Sequence, residues 1–72
     1  MKKTYKMENL DCANCARKME DAIKKLDGIQ NATVNFLMQK LTLEAEAERL
    51  PELVKQADAC CRRVEPDCRV IY

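Results

Sequence analysis

Seventy-two residues with only three aromatics, five cysteines, no histidine and a formal net charge of +1 describe a chain with a modest core. A domain of this size buries only about 60% of its unfolded surface, so a metal, a disulfide or a partner is a natural supplement. Balanced charge and few aromatics argue against a nucleic-acid footprint or a base-stacking platform, and the lack of histidine removes His-based zinc sites, Cys–His nucleophile pairs and most general acid–base chemistry.

The cysteine count is odd and Cys60-Cys61 are adjacent, which does not fit the even, spread-out set of a disulfide framework. Free thiols point to a reducing compartment, hence the cytosol. Met1-Lys2-Lys3 leads into polar residues and not into a signal-peptide run, and no stretch approaches the roughly 20 apolar residues of a membrane span. The expectation is one soluble domain over residues 1–72.

Residues 3 to 8 read as a strand, with Tyr5 and Met7 alternating against Thr4 and Lys6, the period-2 pattern of a half-buried strand. Asn9 and Leu10 lead into Asp11-Cys12-Ala13-Asn14-Cys15-Ala16, with Leu10 as an apolar plug beneath. A helix is predicted from about Asn14 to Leu26, because Ala16, Met19, Ile23 and Leu26 recur at spacings of three and four. Asp27-Gly28 should end it, with Gly28 as the left-handed cap.

Two strands follow, one carrying Ile29, Ala32, Val34 and Phe36 and the other Leu41, Leu43 and Ala45. The glycine-free Leu37-Met38-Gln39-Lys40 between them predicts a hairpin of about four loop residues, with Met38 exposed at its tip. A second helix should begin near Glu48, with Pro51 in its first turn. Its buried stripe is Leu50, Leu53, Val54, Ala57, Cys61 and Val64, and Pro66 stops it. A last strand runs from Cys68 to Tyr72, with Cys68, Val70 and Tyr72 on one face. The order β-α-β-β-α-β predicts an α+β, ferredoxin-like fold: a four-stranded antiparallel sheet with both helices on one face.

Cys12 and Cys15, two residues apart, can both reach one metal ion. The helix N-terminus beside them, with its unpaired N–H groups and partial positive charge, favours the thiolate that binds metal. A CxxC pair in a reducing compartment is also read as a thioredoxin-type redox pair or as half of a structural zinc site that needs a second pair of ligands. A thioredoxin-like fold would require a longer chain and a cis-proline loop.

Leu10-Asp11-Cys12-Ala13-Asn14-Cys15-Ala16 on a β-α-β-β-α-β chain resembles the heavy-metal-associated domain, found in soluble metallochaperones and at the N-terminus of metal-exporting P-type ATPases. Copper-handling members of that family usually carry methionine and then threonine or serine before the first cysteine, where this chain has Leu10 and Asp11. Aspartate at that position, and Val64-Glu65-Pro66-Asp67 before the last strand, resemble the zinc, cadmium and lead branch; the copper branch tends to place lysine, tyrosine or phenylalanine in that later loop.

Charge supports the same choice. Cu(I) with two thiolates leaves a net −1, whereas a divalent ion with two thiolates is neutral and short of ligands. Asp11 supplies a third ligand and restores −1. Zinc accepts thiolate and carboxylate in a four-ligand set, and softer ions favour thiolate. Aspartate is also a good N-cap, so Asp11 has a structural reading beside the ligand one. Glu65 and Asp67 should lie beside the cysteine loop, with Glu65 the better further ligand. Cys60, Cys61 and Cys68 are read mainly as core, since they fall in line with apolar positions, with an extra thiolate near the site as the alternative.

The expected metal residues are therefore Cys12, Cys15, Asp11 and Glu65, for cadmium, zinc or lead, with Cu(I) as the alternative. The resemblance implies a non-catalytic domain on the cytosolic face of a membrane, whose partners are the transmembrane and soluble domains of a parent ATPase. A metal-bridged dimer is a further expected state. A free-standing metallochaperone for copper, a thiol–disulfide oxidoreductase and a simple interaction domain are the rival readings.

Overall fold

The computed structural model describes residues Met1–Tyr72 and contains β1 (Lys2–Glu8), α1 (Ala13–Lys24), β2 (Asn31–Asn35), β3 (Lys40–Glu44), α2 (Leu50–Val64) and β4 (Arg69–Ile71). The strands form one sheet in the order β2-β3-β1-β4, and every neighbouring pair is antiparallel. This is the ferredoxin-like arrangement predicted from the sequence.

Alternation in the strands decides which face is covered. Tyr5, Met7, Ala32, Val34, Leu41, Leu43 and Val70 are buried, while their chain neighbours are exposed or half-exposed. Both helices pack on that one apolar face, α1 through Ala16, Met19 and Ile23, and α2 through Leu50, Leu53, Val54, Ala57, Cys60 and Cys61. Each fully buried Leu, Ile or Met contributes about 1.5–3 kcal/mol. The opposite face is open to water. There Thr4 and Thr42, paired across β1 and β3, bring their hydroxyl oxygens to 3.1 Å, a cross-strand contact that helps hold the register. No helix is long and apolar enough to cross a membrane.

Both edge strands are tied to a helix by a carboxylate. Val34 N–H donates to Glu20 of α1 at 3.4 Å, and Val70 N–H donates to Asp58 of α2 at 2.9 Å. Outward-facing strand N–H groups would otherwise lack a partner.

Three local expectations are corrected. The first helix stops at Lys24, not Leu26, because its end tightens: Lys25 N–H bonds Ala22 C=O and Leu26 N–H bonds Ile23 C=O, the i→i+3 pattern common at helix ends. Gly28 is left-handed, with φ 98°, but it lies beyond the cap, which is Lys25. A Cβ on Gly28 would collide with the Arg49 guanidinium. Tyr72, expected on the buried face, is exposed. The stop at Pro66 occurs as expected, with Glu65 extended at φ −134° as the C-cap.

Candidate metal centre

Three connections meet at one end of the sheet. The pairing of Lys6 with Lys40 places the β2–β3 turn beside the end of β1, and the pairing of Glu8 with Arg69 does the same for the α2–β4 turn. The cysteine loop, residues 9 to 12, leaves β1 between them. Asn9 turns the chain with φ 61°, and its side-chain amide donates to Asp67 C=O at 3.1 Å. Leu10 is fully buried below, as its expected role of plug requires.

Cys12, not Asp11, is the N-cap of α1. Its backbone is extended (φ −133°, ψ 123°) and its sulfur accepts the Cys15 N–H at 3.3 Å. A helix has orphan N–H groups at its start, and here a sulfur takes one of them. The capping reading of Asp11 is thereby corrected: its carboxylate is exposed and is not engaged in the cap.

The two thiols are unlike. Donation from the Cys15 thiol and then from the Cys15 backbone N–H holds the Cys12 pKa below its ordinary value. Cys15 is pushed up to about 11, first because it donates to Cys12, then by partial desolvation and by the facing Glu65 carboxylate. Cys12 therefore gives up its proton before Cys15 does, and Cys15 stays protonated at neutral pH.

Glu65 and Asp11 approach from the rim. Asp11, Cys15, Val64, Glu65, Pro66 and Asp67 line an open cleft of about 360 Å³. Asp11 and Asp67 also border a second polar cleft, with Arg62 and Arg69. The four expected site residues thus come to one end of the fold. Nowhere, however, do three or more Cys, Asp or Glu donors stand close enough together to enclose an ion as they are. The ready element is the Cys12–Cys15 pair, with Asp11 and Glu65 lining the open cleft beside Cys15.

Cys60, Cys61 and Cys68 are buried. Burial pushes the Cys61 thiol up to about 12 and also raises Cys68. All three are core residues, and burial holds the Cys61 and Cys68 thiols in the protonated form.

Two residues that matter to this end of the molecule were not singled out from the sequence. Gln39, at φ 55°, grips Leu10 with its side-chain amide. Asp58, buried within α2, holds β4 and pairs with Arg62 at 3.3 Å. A polar residue interrupting the buried stripe of α2 was the available signal for Asp58. Nothing local marks Gln39, whose partner lies 29 residues away.

Comparison with known proteins places this geometry in context. Residues 4–62 match the sequence model of the heavy-metal-associated domain. A cadmium, zinc and cobalt-transporting ATPase of Bacillus subtilis (strain 168) is 31% identical over 70 residues, covering 97% of this chain and 10% of that protein. The chain thus spans about a tenth of the length of that curated relative. Among solved structures, the N-terminal domain of a potential copper-translocating P-type ATPase from Bacillus subtilis in the Cu(I)-loaded state is similar at a TM-score of 0.72 and 25% identity, covering 96% of this chain and 81% of that one. A CopZ metallochaperone is similar at 0.75 and 18% identity, covering 99% and 100%, a likeness of fold alone. The sequence relative is named for cadmium, zinc and cobalt, and both solved structures are named for, or loaded with, copper or described as a metallochaperone.

Proposed function

The chain belongs to the heavy-metal-associated domain family, and on that premise we propose that it captures a divalent, borderline-to-soft ion (cadmium, zinc or lead) at Cys12 and Cys15. Asp11 and Glu65 then supply oxygen donors. The observation that carries the reading is the division of labour at the helix start. Cys12 caps α1, which leaves the neighbouring Asp11 carboxylate exposed in the cleft shared with Cys15 and Glu65.

The donor set suits such an ion. Two thiolates attract a soft or borderline metal, and one or two carboxylates supply the further ligands and charge that a divalent ion needs. Capture displaces the proton from Cys15, since the thiolate is the ligand. The Cys12 sulfur, already favoured as thiolate by the helix N-terminus, makes the first contact. A site built on an exposed loop lets a partner's thiolates replace Cys12 and Cys15 one at a time, so the ion is handed on without being freed.

Residues 1–72 act as one non-catalytic domain in this reading, at the cytosolic face of a membrane, as the metal-binding end of a P-type ATPase that exports the ion. Competition titrations with Cd(II), Zn(II), Pb(II) and Cu(I) on the wild type and Asp11→Ala test it. Divalent binding at one ion per chain, weakened about tenfold or more by Asp11→Ala (~1.4 kcal/mol or more), supports it. Preference for Cu(I), with divalent binding indifferent to Asp11→Ala, contradicts the divalent assignment and favours the copper reading.

A further inference from the structure

We infer that Gln39, on the β2–β3 hairpin, is a positioning residue for the cysteine loop: its side-chain amide fixes the backbone at Leu10, so that Cys12 and Cys15 meet the ion already arranged. The inference rests on the metal-binding reading above and adds to it a residue that touches neither cysteine nor carboxylate.

The hydrogen bonds define the grip. Leu10 N–H donates to Gln39 Oε1 at 3.1 Å, and Gln39 Nε2 donates back to Leu10 C=O at 2.5 Å. The same nitrogen lies 3.1 Å from Phe36 C=O, which ties the side chain to its own turn. The Gln39 backbone C=O accepts Met7 N–H at 2.8 Å. One residue therefore holds the chain on both sides of Asn9, where φ 61° takes it out of β1.

The conformation of Gln39 points the same way. It sits at φ 55°, in the left-handed region that glycine adopts at no steric cost. A turn that needed only this backbone shape would be better served by glycine. Strained positions of this kind persist where the surrounding structure holds them, and they cluster at functional sites. Here the side chain makes three hydrogen bonds, and two of them go to the loop.

Leu10 is consequently held from two directions, by burial of its side chain and by the amide on its backbone. Only Asp11 separates it from Cys12. Backbone already ordered has no freedom to lose when the ion is captured, and preorganisation of this kind strengthens binding without any new contact.

Gln39→Gly tests this directly, because it keeps the left-handed turn accessible and deletes only the amide. With Cd(II) alone as the probe and a chelator as competitor, its affinity should fall about tenfold, or ~1.4 kcal/mol. The cadmium–thiolate charge-transfer absorption at saturation should be unchanged, and the Leu10 amide should exchange faster with solvent. Gln39→Glu, which has the same size and keeps the acceptor for Leu10 N–H, should fall in between, and it carries the test if Gln39→Gly does not fold. Leu37→Ala, in the same turn and largely exposed to solvent, should bind as the wild type does. Wild-type affinity in Gln39→Gly despite faster Leu10 exchange would overturn the inference, as would an equal loss in Leu37→Ala. A wild-type domain that takes up no Cd(II) overturns the metal reading itself, and this inference with it, before any variant is compared.

Discussion

Alkylation of the metal-free domain should separate Cys12 from Cys15. The Cys12 pKa is held below the ordinary thiol value of about 9, and that of Cys15 is pushed up to about 11. A gap of two units or more gives Cys12 at least a ~100-fold larger thiolate fraction near pH 8, where only about one Cys15 in a thousand is ionised. The advantage is not fully realised, because a less basic thiolate is a weaker nucleophile. With a Brønsted coefficient of about 0.4–0.5, two units return roughly a factor of ten to Cys15. The net expectation is labelling of Cys12 about tenfold faster than Cys15. The assay is a time course with iodoacetamide at pH 8, read by peptide mass mapping, with a urea-unfolded control in which the difference collapses. Equal rates, or faster labelling of Cys15, would refute the asymmetry and the hydrogen bonds from the Cys15 thiol and backbone N–H to Cys12 that cause it.

Asp58→Ala should destabilise the fold by about 1–3 kcal/mol, the cost of leaving Val70 N–H without its acceptor, with little added by the exposed Arg62 pair. At a urea slope near 1 kcal/mol/M the midpoint falls by about 2 M, and a change under about 0.5 kcal/mol would exclude Asp58 as the tie holding β4. Cys61, pushed up to about 12 by burial, has a folded pKa above its unfolded one, so its contribution to stability is present below about pH 9 and is lost as pH rises toward 12. Thermal unfolding followed through that window should decline less steeply in Cys61→Ala, by at most one proton's worth of slope; an unchanged slope would show that the thiol is not buried as described. Cd(II) affinity should rise about tenfold per pH unit where Cys12 is already ionised and Cys15 is not, because capture then releases one proton. A chelator competition series across pH reads that slope, and a flat profile would mean that Cys15 loses no proton on binding.

The architecture was legible because its signals are local and redundant. Tyr5 with Met7, Ala32 with Val34 and Leu41 with Leu43 all follow the strand period, and each alternation came out with the expected face buried. Met19 with Ile23, and Leu50 with Leu53, Val54 and Ala57, mark the helix faces just as plainly. The features that escaped depend on partners distant in sequence or on equivalent chemistry. Asp11 and Cys12 can each cap a helix, and only the backbone geometry selects the sulfur. Gln39 lies in a turn that has no glycine to announce a left-handed residue. Asp58 sits in a helix where a carboxylate is ordinarily solvated, and its meaning comes from the β4 N–H it meets. The end of α1 moved because i→i+3 bonding at Lys25 and Leu26 tightens the last turn without changing the apolar spacing.

Counting the atoms bound to the ion would test the central claim most directly. X-ray absorption on the Cd(II)-loaded wild-type domain should give two sulfur neighbours, with the rest of the shell oxygen, and the oxygen content should change in Asp11→Ala while the two sulfurs remain. In a monomeric sample loaded with one ion per chain, three or four sulfurs would contradict the account by bringing Cys60, Cys61 or Cys68 out of the core, and a shell with fewer than two would remove Cys12 and Cys15 from the site.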